Sequence, residues 1–211
     1  MKKAIQIFLG LVIVGLIYVI ATLIHNPLSF EKELKTRNAE VVVKLKAIRA
    51  AERAYKSKYQ QFTDNFDSLI YFILNDSLEM ERKLVDEDDS VALAKLKKAG
   101  KKNIEKYNLA VIDTIFNPRK LTKEQVEDLR YIPYTNNMEF ILEAGKVVTG
   151  SNVEIPVVEC RAPYKAYLDT VKYRQNIINL IDDRVYNFNE YAGLKFGSME
   201  GSNNEAGNWG E

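Results

Sequence analysis

The feature that most limits this chain is the run from Ala4 to Ile24, which is apolar apart from Gln6 and Thr22. At about 1.5 Å of rise per helical residue it would reach roughly 30 Å, the hydrocarbon thickness of a bilayer. A cleaved signal peptide has a shorter apolar stretch, about 7–15 residues, that ends in a small-x-small site. Here Ala21-Thr22-Leu23 runs into Ile24-His25-Asn26-Pro27, which fits such a site poorly. The expectation is therefore a retained transmembrane helix over 4–24, with residues 1–3 as a cytoplasmic tip and 28–211 as a domain exported to the periplasm or cell exterior. Lys2 and Lys3 precede the run, while Lys32, Lys35, Arg37 and Lys44 follow it. Long translocated domains are largely exempt from the charge count, so the single-pass inner-membrane orientation rests on the short basic tip.

Composition removes several functional classes. Thirty Lys and Arg stand against twenty-nine Asp and Glu, a formal net charge of +1, so a nucleic-acid partner lacks its usual electrostatic support. Cys160 is the one cysteine and His25 the one histidine, which excludes a disulfide framework, multi-cysteine zinc sites and most His-based catalysis. No phosphate-binding glycine loop or nucleophile elbow is present. Glu154, Glu159, Asp182 and Asp183 are scattered carboxylates whose spacing assigns no glycosidase pair. The reading is of a protein that is not an enzyme and needs no cofactor.

Beyond the run, Asn26 can cap a helix and Pro27 suits its first position, so the chain is expected to restart or kink there. Leu34, Val41, Leu45, Ile48, Tyr55 and Tyr59 then recur at intervals that line one face of a helix. Lys35, Arg37, Glu40, Lys44, Arg49 and Arg53 lie between them. Glu52 falls on or near the apolar stripe, where it either pairs with Arg49, Lys56 or the facing sheet, or sits at a solvated edge. A polar turn follows at Gln60 to Asp64, with Thr63 or Asp64 expected to cap a short apolar helix through Leu69, Ile70, Phe72 and Ile73.

The order of these features carries a resemblance. A basic tip, an apolar run and an amphipathic helix with Ala51-Glu52-Arg53-Ala54-Tyr55 lead to Tyr59-Gln60-Gln61-Phe62-Thr63. Over residues 1–73 this resembles the type IV pilins and the pseudopilins of type II secretion. The resemblance implies an α+β fold, in which the long N-terminal helix packs on a small antiparallel sheet, and a role in assembly or secretion. Two marks of that family are missing: no Gly-Phe processing site precedes the apolar run, and no acidic residue occurs before Glu31. Some pseudopilins hold calcium in a C-terminal loop, and by that likeness Asn203, Asn204, Glu205 and Asn208 are the calcium candidates.

Residues 75–117 read as a charged helical insertion, acidic from Glu79 to Asp89 and basic from Lys95 to Lys106, with one or two surface helices or a hairpin. The Asp86 to Asp89 run lacks the spacing of a calcium loop and reads as an acidic helix start. Asn117-Pro118 breaks the chain, and Thr122 with Gln125 forms a capping box for a short helix. Tyr131–Tyr134, Glu139–Ala144, Lys146–Thr149, Asn152–Cys160 and Gly193–Met199 are strand candidates, with turns expected at Ala144-Gly145 and Gly150-Ser151-Asn152. A short helix is expected over 175–181, and Trp209 is expected to tuck back against the fold. Gly10, Gly15, Val41, Leu45, Ile48 and Tyr55 are the residues expected to pack against membrane or partner. The functional expectation is a bitopic envelope protein whose partners are membrane lipid and other envelope proteins or copies of itself. The alternative is a membrane-tethered module that binds a ligand or glycan through its late Tyr residues and Trp209.

Overall fold

The structure, a computed structural model, describes residues 2–86, 88–100, 102–116 and 121–210, with backbone alone at 2–4, 21–25 and 90. The Asn117-Pro118 break, Glu87, Lys101 and Glu211 lie outside the described residues, as do the side chains of Lys2, Lys3, Ala4, Ala21, Ile24 and His25.

One helix, α1 (Lys2–Tyr59), runs without interruption from the apolar end into the domain, and Pro27 lies inside it. The expected restart at Asn26-Pro27 does not occur. Among the described residues, no helix is long and apolar enough to cross a membrane. The transmembrane helix expected over 4–24 is corrected accordingly, and with it the membrane keyword and the single-pass inner-membrane location.

The remaining elements form an α+β domain around the second half of α1. Helix α2 (Phe66–Asn75) is capped by Asn65, whose side chain accepts the N–H groups of Asp67 and Ser68. Thr63, the expected cap, instead accepts from the N–H of Asn65. Then come β1 (Ser77–Lys83), α3 (Ser90–Lys98), β2 (Ile104–Ala110), α4 (Val111–Ile115) and α5 (Lys123–Glu127). The Thr122–Gln125 capping box is present at α5. The chain closes with β3 (Ile141–Val148), β4 (Glu154–Pro163), α6 (Tyr164–Tyr167), α7 (Arg174–Asp182) and β5 (Gly193–Gly197).

Two small antiparallel sheets result, a β1–β2 ribbon and a three-stranded sheet in the order β3-β4-β5. The ribbon replaces the helical hairpin expected over 75–117, with α3 as a helical piece at its tip. In the larger sheet the register sets Leu142 beside Cys160 and Cys160 beside Phe196, with Ala162 beside Leu194. Alternation along the strands puts these side chains on one face, and all of them join the hydrophobic core with Val41, Leu45 and Ile48 of α1. Each fully buried aliphatic side chain contributes about 1.5–3 kcal/mol, so this helix-on-sheet contact holds the domain to its stem. The opposite face is ionic: Arg161 pairs with Glu143 at 2.6 Å and Lys195 with Glu159 at 2.9 Å.

Glycine has a different role at two positions. Gly145, expected as a turn, continues β3 opposite Val157. Gly197 ends β5 at φ +77°, where a Cβ would lie 1.9 Å from the Val158 carbonyl oxygen, so only glycine fits.

Candidate functional site

The most unusual surface is the stem formed by the first third of α1. Its apolar side chains face solvent on every side, with Ile5 65%, Phe8 68%, Leu11 68%, Val14 65% and Tyr18 71% exposed. Gly10 and Gly15 have no heavy atom within 4 Å of where a Cβ would stand. A helix that is apolar all round is normally an enclosed helix, because each such side chain left in water forgoes its burial energy. Past Leu28, α1 becomes one-sided and the domain covers its apolar stripe.

The six residues expected to pack against membrane or partner therefore divide. Gly10 and Gly15 lie on the open stem, whereas Val41, Leu45 and Ile48 are fully buried in the chain's own core and present nothing to a partner. Tyr55 is half-buried, its ring 4.6 Å from that of Tyr59 and 5.2 Å from that of Phe72. The periodicity that marked these residues reports an apolar face, and the domain's own sheet and α2 cover it.

Under the stem lies a group whose environment the sequence did not disclose. Glu52 is fully buried, and its Oε2 accepts the backbone N–H of Thr63 at 3.1 Å. Its Oε1 has no hydrogen-bond partner. Burial pushes the carboxyl up to about 8, with the Thr63 N–H opposing and Asp64 adding to the rise. Buried Cys160 has its thiol driven well up by desolvation first and by the Glu52 charge second. The contrast with Glu159 is one of partners: that carboxylate is also buried but is held by Lys195 and Arg161. Glu52 fixes the turn after α1, and Cys160 is an unreactive core thiol.

The C-terminal segment folds back across α1. Arg53 donates to the Glu205 carboxylate at 3.1 Å and to the Asn204 carbonyl oxygen at 2.9 Å, and Lys56 lies 3.8 Å from the same carboxylate. Glu205 is thus neutralised by cations from α1. Asn208 accepts from the Lys195 N–H and donates to the Gly193 carbonyl oxygen, which leaves its amide fully occupied in fastening the tail to β5. Asn204 and Glu205 therefore strap the tail to the C-terminal end of α1, Asn203 accepts the Ala206 N–H within the strap and Asn208 ties it to β5, and among the described residues no group of three or more His, Cys, Asp or Glu is arranged to hold a metal ion.

Trp209 packs against the core beneath the guanidinium of Arg49, 5.5 Å from the ring centroid. Beside it runs a groove of about 720 Å³, floored by Leu34, Val42, Tyr164 and Leu194 and edged by Lys35 and Arg184. Among the late tyrosines, Tyr164, Tyr167 and Tyr173 are buried core residues, Tyr191 is half-buried and Tyr186 is exposed. No protein-family model, no curated protein and no solved structure matches this chain.

Proposed function

We propose that the protein is a structural assembly component, in which α1 is inserted among other protein chains and the α+β domain is presented at its end. The carrying observation is the stem: from Ile5 to Ile20 it exposes apolar side chains on every side, and among the described residues no element covers them. Taking ~1.5 kcal/mol as the smallest return for burying one such side chain, enclosure of even five contributes on the order of 7 kcal/mol, comparable with the whole stability of a domain. The continuity of α1 supports the same reading, because a rigid helix transmits the position of the stem to the domain without a hinge. The resemblance of residues 1–73 to pilins and pseudopilins points the same way, toward lateral packing of such helices.

The test is the mass of particles carrying the full-length chain in native extracts. The expected result is a multi-chain particle that dissociates when Leu11 and Val14 are both changed to Asp, with the near-ultraviolet dichroism of the domain unchanged. A wild-type chain that runs as a monomer at every concentration overturns the proposal.

A further inference from the structure

The β1–β2 ribbon joins the core only at its base, through Leu78. Among the described residues from Glu79 to Ala110, none belongs to the hydrophobic core. The ribbon's base meets α2 and α4. A two-stranded ribbon in isolation is marginal in water, so one that carries an extended tip calls for something to pack against.

Charge on the tip is sorted rather than mixed. Along the ribbon itself the charges cancel, Arg82 pairing with Glu105 and Lys106 with Glu79. At the tip they separate: Asp86 and Asp88 stand before α3, while Lys95, Lys97, Lys98 and Lys102 stand along its end and after it. None of these six makes an ion pair with a described residue. Asp89 is the helix cap, its side chain accepting the N–H of Ala92. On the outer face of α3, Val91, Ala94, Lys95 and Lys98 follow helical spacing and are all exposed, while Leu93 and Leu96 are half-buried on the other side. Exposed Leu84 and Ile104 flank the same end.

We propose that this tip docks against the same tip of a second copy, α3 against α3 in antiparallel fashion about a two-fold axis between Val91 and Ala94. A two-fold contact requires a surface complementary to itself. A helix acidic at its start and basic at its end has that property: reversed, Asp86 and Asp88 of one copy lie along Lys95 and Lys98 of the other. Val91 and Ala94 supply an apolar centre small enough for close approach, and the opposed helix dipoles favour the antiparallel sense. This contact is separate from the stem, involving different residues at the other end of the molecule's chemistry, and it does not depend on how the stem is covered.

The test uses the full chain with Ala94→Cys and a short bis-maleimide linker; Cys160 is fully buried and stays silent. Two reversal variants are made in that background, D86K/D88K, in which positions 86, 88, 95 and 98 are all basic, and K95E/K98E, in which the same four positions are all acidic. Asp89 is left in place so that the helix keeps its cap. The parent is expected to crosslink to a second copy, and each variant alone to lose about tenfold or more of that yield through like-charge contact. An equimolar mixture of the two variants is expected to regain it, since every reversed contact is then again opposite in sign. Loss in each variant without recovery in the mixture overturns the proposal, as does a yield indifferent to the reversals. Crosslinks that reach only other proteins overturn it as well, and assign the tip to a foreign acidic or basic surface.

Discussion

Replacing Glu52 with Gln should change how the stability of this protein responds to pH. The carboxyl titrates near 4.5 in the unfolded chain and is pushed up to about 8 in the fold by its burial. Between those values the native state keeps a proton that the unfolded state releases, so stability falls as pH rises. The contribution is fully present below about pH 4.5 and is lost as pH climbs through the folded value near 8. The loss approaches about 1.4 kcal/mol per pH unit, and integrates to about 3 kcal/mol between pH 5 and 7.5. Gln keeps an oxygen for the Thr63 N–H and carries no titrating proton, so its stability lacks this slope.

The assay is urea unfolding of the full chain and its E52Q variant at half-unit pH steps, read by the fluorescence of Trp209, the sole tryptophan. Other titrating groups are common to both chains and cancel in the difference. The expected result is a wild-type stability that declines against that of E52Q by about 3 kcal/mol over the range, worth on the order of 10 °C in unfolding temperature for a chain of this size. Parallel profiles would refute the reasoning, because they would mean that Glu52 is ionised in the fold or reaches water.

Three further outcomes follow from particular contacts. Gly197→Ala forces a Cβ into the Val158 carbonyl at a positive φ and should cost about 3 kcal/mol by thermal unfolding, against a few tenths for the open Gly150→Ala. Asn208→Ala removes the two side-chain hydrogen bonds from Asn208 to β5 while the backbone bonds of the tail remain, and should cost about 2 kcal/mol, with a red shift of Trp209 emission as the strap loosens. Millimolar calcium should leave the unfolding midpoint unchanged, because the Glu205 carboxylate is already neutralised by Arg53 and Lys56; a rise of several degrees would contradict the strap.

What the sequence disclosed and what it hid divide along a physical line. Local chemistry was legible: the Thr122–Gln125 box, the glycine-flanked strand at 193–197 and the helix near 175–181 are each set by residues close in the chain, whereas the return of Trp209 was legible only from its residue type. The apolar stripe of Val41, Leu45 and Ile48 was legible as a stripe, but periodicity does not state what covers it, and here the chain's own sheet does. Gly145 signalled a turn by its type, and cross-strand pairing with Val157 overrode that preference. The ribbon was hidden because its strands are charged on both faces, so hydrophobic alternation is faint and cross-strand ion pairs carry the register. Asn26-Pro27 suggested a break, yet α1 passes through it, since one proline removes one hydrogen bond from a helix anchored along its second half. Glu52 could not be placed from sequence, because its neighbours Thr63 and Cys160 reach it only through the tertiary fold.

The central claim is that other protein chains enclose the apolar stem, and photocrosslinking tests it most directly. A photoreactive residue is placed in turn at Phe8, Leu9, Val14 and Ile17 of the full chain in its native setting, and the adducts are identified by mass. The account predicts protein adducts from all four positions, since they point to different sides of α1. Four positions that yield no protein adduct would contradict it.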